Sequence, residues 1–104
     1  MQLLKSANMK NSNEQKLNDV IRDLLETYKL QDKITETKLI RSWESVAGSY
    51  ISKSTDKIYI SRRKLYVRLN SPALKHELMF AREKLIKALN DSVQNEVIDE
   101  IVFL

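Results

Sequence analysis

The spacing of apolar residues along this chain changes from a helical to a strand period and back, and each change marks an element. From Ser12, read as an N-cap with Gln15 three residues on, Leu17, Val20, Ile21, Leu24, Leu25 and Tyr28 recur at the three- and four-residue steps of one helix face. A second helix is expected from about Asp32 to Ala47, with Ile34, Leu39, Ile40, Trp43, Val46 and Ala47 inward. Gly48 stands where a left-handed residue ends such a helix, and Tyr50 and Ile51 continue as a short turn. Between Lys57 and Asn70 the period falls to two: Ile58 and Ile60 alternate with Lys57, Tyr59 and Ser61, then Leu65, Val67 and Leu69 with Lys64, Tyr66 and Arg68. This is the signature of a β-hairpin. With Arg62-Arg63 as a two-residue turn, the pairs are Ile60 with Leu65, Tyr59 with Tyr66, Ile58 with Val67 and Lys57 with Arg68, which places every apolar side chain on one face. Arg-Arg lacks the Gly or Asn that a primed turn favours, so a slightly wider loop in the same register stays open as an alternative.

Asn70-Ser71-Pro72 starts a long third helix, Ser71 capping it and Pro72 taking its first position, with the stripe Leu74, Leu78, Ala81, Leu85 and Leu89. After the polar break Asn90-Asp91-Ser92, a last strand is expected near Ile101 to Phe103. The predicted class is α+β: two N-terminal helices, a β-hairpin, a long helix and a final strand, forming a three-stranded sheet with helices on one face. Lys57, Tyr59, Tyr66 and Arg68 then lie on the open face. Residues 1–11 lack periodicity and are expected to be a flexible arm without a function of its own, and residues 12–104 a single domain.

Composition narrows the function classes. At 104 residues the chain has no room for a separate catalytic domain, and 42% hydrophobic content with a single Gly and a single Pro excludes both a disordered chain and a turn-dense β-sandwich. The absence of Cys excludes disulfides, thiol nucleophiles and Cys-ligated metals. The longest apolar run, Ile101 to Leu104, is far short of a membrane span and the start of the chain is polar, so a cytoplasmic protein with no membrane partner is expected.

The net charge of +4 hides its distribution. Lys53, Lys57, Arg62, Arg63, Lys64 and Arg68 face the single Asp56 within one segment, while Asp91, Glu96, Asp99 and Glu100 stand in a C-terminal stretch with no Lys or Arg. An anionic partner at the hairpin is the reading this favours. Tyr59 and Tyr66, paired across the strands between Lys57 and Arg68, add base stacking to phosphate contact. The candidate nucleic-acid-binding set is therefore Lys53, Lys57, Tyr59, Arg62, Arg63, Lys64, Tyr66 and Arg68. The same features also suit an ordinary solvated sheet face, where cross-strand tyrosines stabilise the hairpin without a ligand.

Catalysis finds no constellation to carry it. One Gly cannot build a phosphate-cradling loop, and His76, the single histidine, projects opposite the Leu74/Leu78/Ala81/Leu85 stripe with no acidic or imidazole neighbours at ligand spacing. No cofactor, metal or small-molecule substrate is expected. Phe80 projects beside His76, away from the stripe, so it is either roofed by the N-terminal helices or free, and in the second case it forms with His76 the candidate surface for a protein partner.

The element order, with Trp43-Glu44-Ser45-Val46-Ala47-Gly48, Ile58-Tyr59-Ile60, Leu65-Tyr66-Val67 and Ser71-Pro72-Ala73-Leu74-Lys75-His76-Glu77-Leu78, resembles the DciA family of small bacterial proteins over about residues 13–104. The resemblance implies a K-homology-like domain without the usual Gly-rich nucleic-acid loop, in an adaptor that assists loading or operation of the replicative DNA helicase. It is to the short form, ending at Leu104 without the flexible tail of longer members. Arg62-Arg63 stands where members often have a Gly-containing turn. Two readings follow: a non-catalytic adaptor binding DNA, single-stranded or duplex, through its hairpin and the helicase through another surface, or a protein-interaction or self-associating domain that does not bind nucleic acid.

Overall fold

The structure, a computed structural model, describes residues 11–104, with side chains from Glu14 onward. The expected arm lies outside the described residues except for Asn11, which is already helical. The elements are α1 (Asn11–Arg41), α2 (Trp43–Ala47), α3 (Ser49–Lys53), β1 (Thr55–Ser61), β2 (Lys64–Leu69), α4 (Pro72–Met79), α5 (Arg82–Ser92) and β3 (Glu100–Phe103). The described chain divides into two units, one ending at Lys33 and the other Ile34–Leu104.

The α+β class and the three-stranded sheet are as expected, while the helices are partitioned differently. The two N-terminal helices are one. Gln31, Asp32 and Lys33 are polar without being helix breakers, so α1 runs through them and also begins ahead of Ser12, the expected cap. It ends at Arg41, where the Ser42 backbone N–H is shared between the carbonyls of Lys38 and Leu39, 3.0 Å to each. Ile34 is exposed rather than inward, because it sits well over 100° round the helix from Leu39, which is fully buried. The third helix, in turn, is two. The Phe80 and Ala81 N–H groups donate three residues back, to Glu77 and Leu78, which tightens and closes α4 before α5 starts at Arg82. Leu74 and Leu78 on α4 and Leu85 and Leu89 on α5 still all reach the core.

Strand order is β1-β2-β3. The hairpin register is the expected one, Lys57 to Arg68, Ile58 to Val67, Tyr59 to Tyr66 and Ile60 to Leu65, with a bulge between Thr55 and Lys57. Its turn is the tight two-residue form: Arg62 and Arg63 both have positive φ, 49° and 63°, as a type I′ turn demands. Strand β3 pairs parallel with β2, Lys64 opposite Glu100 and Tyr66 opposite Val102. Leu65, Val67, Leu69, Ile101 and Phe103 line the buried face, against Leu39, Trp43 and the leucines of α4 and α5.

Two polar side chains fix the loops of this second unit. The Trp43 indole N–H donates to Thr55 Oγ1 at 3.0 Å, and that hydroxyl donates to the Ile51 carbonyl at 2.8 Å, tying α2 and α3 to β1. Between them Gly48 takes φ 98°, ψ 160°, a region closed to L side chains, and so links two short helices without an intervening loop. Asn90, inside α5, receives the Val97 and Ile98 N–H groups on its Oδ1 at 3.0 and 3.1 Å and donates from Nδ2 to the Ile98 carbonyl at 3.0 Å. One side chain thus satisfies three backbone groups in the approach to β3. Asn90→Ala should lower stability by about 1–3 kcal/mol, since the Ile98 N–H and carbonyl lose this partner while the Val97 N–H keeps the Asn95 carbonyl; an unchanged urea midpoint would show that water replaces the amide freely.

Candidate nucleic-acid interface

Alternation along the strands sets the open sheet face in rows. Lys57 and Arg68 form the first, Tyr59, Tyr66 and Val102 the second, Ser61, Lys64 and Glu100 the third. Lys53 closes α3 just ahead of β1, and Arg62 and Arg63 cap the hairpin. All six cations are exposed.

The tyrosine rings stack on each other, centroids 4.9 Å apart and planes 9° from parallel, and the Lys57 ammonium lies over the Tyr59 ring at 5.3 Å. Each ring therefore turns one face to its neighbour, with Lys57 over Tyr59 and Val102 next to Tyr66 across β3.

The cations are not equivalent. The Arg63 guanidinium grips the Asp99 carboxylate with two hydrogen bonds, Nε to Oδ2 at 2.9 Å and Nη2 to Oδ1 at 2.8 Å, and the Asp99 N–H donates to the Arg63 carbonyl at 2.8 Å. Lys64 Nζ lies 3.5 Å from Glu100 Oε2. Parallel pairing of β3 with β2 thus carries two acids of the C-terminal stretch onto two cations of the turn. Lys53, Lys57, Arg62 and Arg68 have no carboxylate within ion-pair distance among the described residues. Residue order alone does not foretell this division, because it depends on which strand neighbours β2.

The Asp99 carboxyl is held below its ordinary range, first by the hydrogen bonds from Arg63 and then by that residue's charge. A carboxyl with a depressed folded pKa stabilises above its unfolded value, and the contribution is lost as pH falls through the folded one. Asp99→Asn should therefore make the melting temperature fall slightly less than in the parent between about pH 5 and pH 2. Both side chains are more than half exposed, so the difference is small; identical pH profiles would mean the pair is not formed in solution.

The second candidate surface lies at the joint of α4 and α5. His76 and Phe80 make an edge-to-face pair at 5.3 Å, and Phe80, which projects away from the Leu74 and Leu78 side of α4, is 82% exposed. Beside it Lys75, Met79 and Arg82 form one wall, and Glu100 to Phe103 the other, of a groove of about 330 Å³. A larger groove of about 410 Å³ lies where Ile40, Trp43, Glu44, Ser52, Thr55 and Ile58 converge.

No curated protein and no solved structure matches the chain. A family model does: the one described as Dna[CI] antecedent, DciA, matches residues 16–103. That span runs from the first turns of α1 to the last residue of β3 and takes in the whole sheet, both helical joints and the basic hairpin, so the chain belongs to the DciA family.

Proposed function

We propose that the protein is a non-catalytic cytoplasmic adaptor that binds DNA, single-stranded or duplex, through the open face of its hairpin and engages the replicative helicase through the surface around His76 and Phe80. Membership of a helicase-loader family supports the role with the helicase. The K-homology-like reading is supported by the β2–α4–α5–β3 order, in which two helices joined end to end link two parallel strands. The observation that carries DNA binding is the pairing of Lys57 with Arg68 beside the stacked tyrosines, on a sheet face where Lys57, Tyr59 and Arg68 are exposed.

Titration of a labelled single strand and of the same sequence as duplex, across a series of salt concentrations, tests it. Affinity should fall with salt by a slope of about −0.7 to −0.9 per phosphate neutralised. Tyr59→Ala should weaken single-strand binding by about 1–3 kcal/mol, leave the slope nearly unchanged and spare duplex binding, because paired bases already stack on each other. Melting must be followed in parallel, since losing half of a cross-strand aromatic pair itself costs up to about 1 kcal/mol. No binding to either form at low salt would leave the protein-interaction reading in its place.

A further inference from the structure

We propose that Asp99 and Glu100 act as an internal competitor for nucleic acid: their carboxylates occupy the place of phosphates at the hairpin turn, and a bound strand must take Arg63 and Lys64 from them. The proposal rests on DNA binding through the hairpin and adds to it what limits the strength of that binding. Arg63 gives Asp99 the two-pronged grip, at 2.8 and 2.9 Å, that a guanidinium gives a phosphate. The Lys64 ammonium lies 3.5 Å from Glu100, so both cations that lead from the turn into β2 already hold an anion.

The sheet, rather than side-chain reach, puts the acids there. The Asp99 N–H donates to the Arg63 carbonyl at 2.8 Å, so the main chain of the acid is pinned to the residue whose side chain it holds. Glu100 is the register partner of Lys64 in the parallel pairing of β3 with β2. Glu96 adds its charge to Arg63 from further off. Arg62, at the same turn, has no carboxylate within ion-pair distance among the described residues, nor do Lys57 and Arg68 at the far end of the hairpin. A strand lying along the face from Lys57 and Arg68 over the tyrosines therefore meets free cations first and neutralised ones at the turn. Both ion pairs are about half exposed or more, and exposed pairs are weak, so phosphate can displace the carboxylates. Once displaced, the acids stay beside the incoming phosphate, inside the Debye length of about 8–10 Å, and repel it. Exchange thus weakens the bound state without any change of fold.

The test is Asp99→Asn with Glu100→Gln, titrated with a labelled oligothymidylate across a salt series. Its control is Glu83→Gln with Asp91→Asn, which removes two exposed negative charges of α5 that have no cation within ion-pair distance among the described residues. The first variant should bind about tenfold more tightly than the parent near 0.1 M salt, with a slope steeper by about 1–2, since two further cations become available to phosphate. The control, equal in net charge, should stay within about twofold of the parent, its lost charges being screened from the turn. With Arg63→Ser and Lys64→Ser also in place, the gain should vanish, because the acids act through those two side chains. Melting curves check that the turn is kept. In the parent itself, the Arg63 Nε–H resonance should move on saturation with the strand, as the guanidinium changes partner, a readout that needs no substitution. Equal gains from the two neutralised pairs, a gain that survives without Arg63 and Lys64, unchanged affinity of Asp99→Asn with Glu100→Gln where the parent binds, or an unmoved Arg63 resonance at saturation would each overturn the proposal and leave DNA binding standing. Absence of binding by the parent and by the neutralised variant alike would remove the DNA reading, and the proposal with it.

Discussion

Trp43→Ala should destabilise the protein by about 3–5 kcal/mol, the usual loss when a large aromatic leaves a packed site. Trp43 is 3% exposed and belongs to the core cluster with Leu39, Leu65 and Val67. Its removal empties a large volume and also withdraws the indole N–H from Thr55, loosening the bond network that sets α3 against β1. Small domains hold about 5–15 kcal/mol in all, so the variant should melt tens of degrees lower or be partly unfolded at room temperature. Trp43→Phe separates the two contributions, retaining much of the volume without the donor. Calorimetry or urea unfolding reads both, and a Trp43→Ala melting point within a degree or two of the parent would show that the ring does not hold the core.

The second large effect belongs to the cations without acidic partners. Replacing Lys57, Arg62 and Arg68 together by Ser removes up to three phosphate contacts, so the salt slope should flatten by about 2–3 and affinity near 0.1 M salt should fall on the order of a hundredfold. Stability should change little, since exposed charges contribute little to it. Arg63→Ser with Lys64→Ser should flatten the slope less, because those groups already face Asp99 and Glu100 and must leave them to reach a phosphate. Equal effects of the two sets would mean the ion pairs at the turn open freely, and no effect of the triple variant would move the binding surface off the hairpin.

How much of this was legible in the sequence differs by element. The hairpin register follows from alternation alone, because a slip by one residue would turn Ile58, Ile60, Leu65 and Val67 out of the core together. Helix boundaries followed less well: a stripe at three- and four-residue steps is the same whether Leu78 and Leu85 sit on one helix or on two joined at Phe80, and no Gly or Pro marks the joint. Asn90 read as part of a polar break, yet it is the residue that organises the segment after it, a role fixed by loop geometry and not by residue type. At the site, Lys57, Tyr59, Tyr66 and Arg68 were legible as open-face residues and the tyrosines as a pair, whereas Glu100 and Val102 in the same rows were not. The division of the cations into paired and unpaired was not, because it needs β3 beside β2.

The left-handed Arg62-Arg63 turn bears on how binding and folding are coupled. Two consecutive non-glycine residues at positive φ are each disfavoured by about 1–2 kcal/mol, so this hairpin has no local preference to close where it does. It is held instead from outside, by its apolar face in the core and by Asp99 gripping Arg63 from a segment 36 residues away. A peptide spanning the two strands has neither support and should remain open. The basic face is therefore assembled only in the folded chain, so a nucleic acid bound there adds to the stability of the native state in proportion to the logarithm of its concentration. Protection against heat or protease by oligonucleotide would read occupancy of the site directly, without a label on either partner.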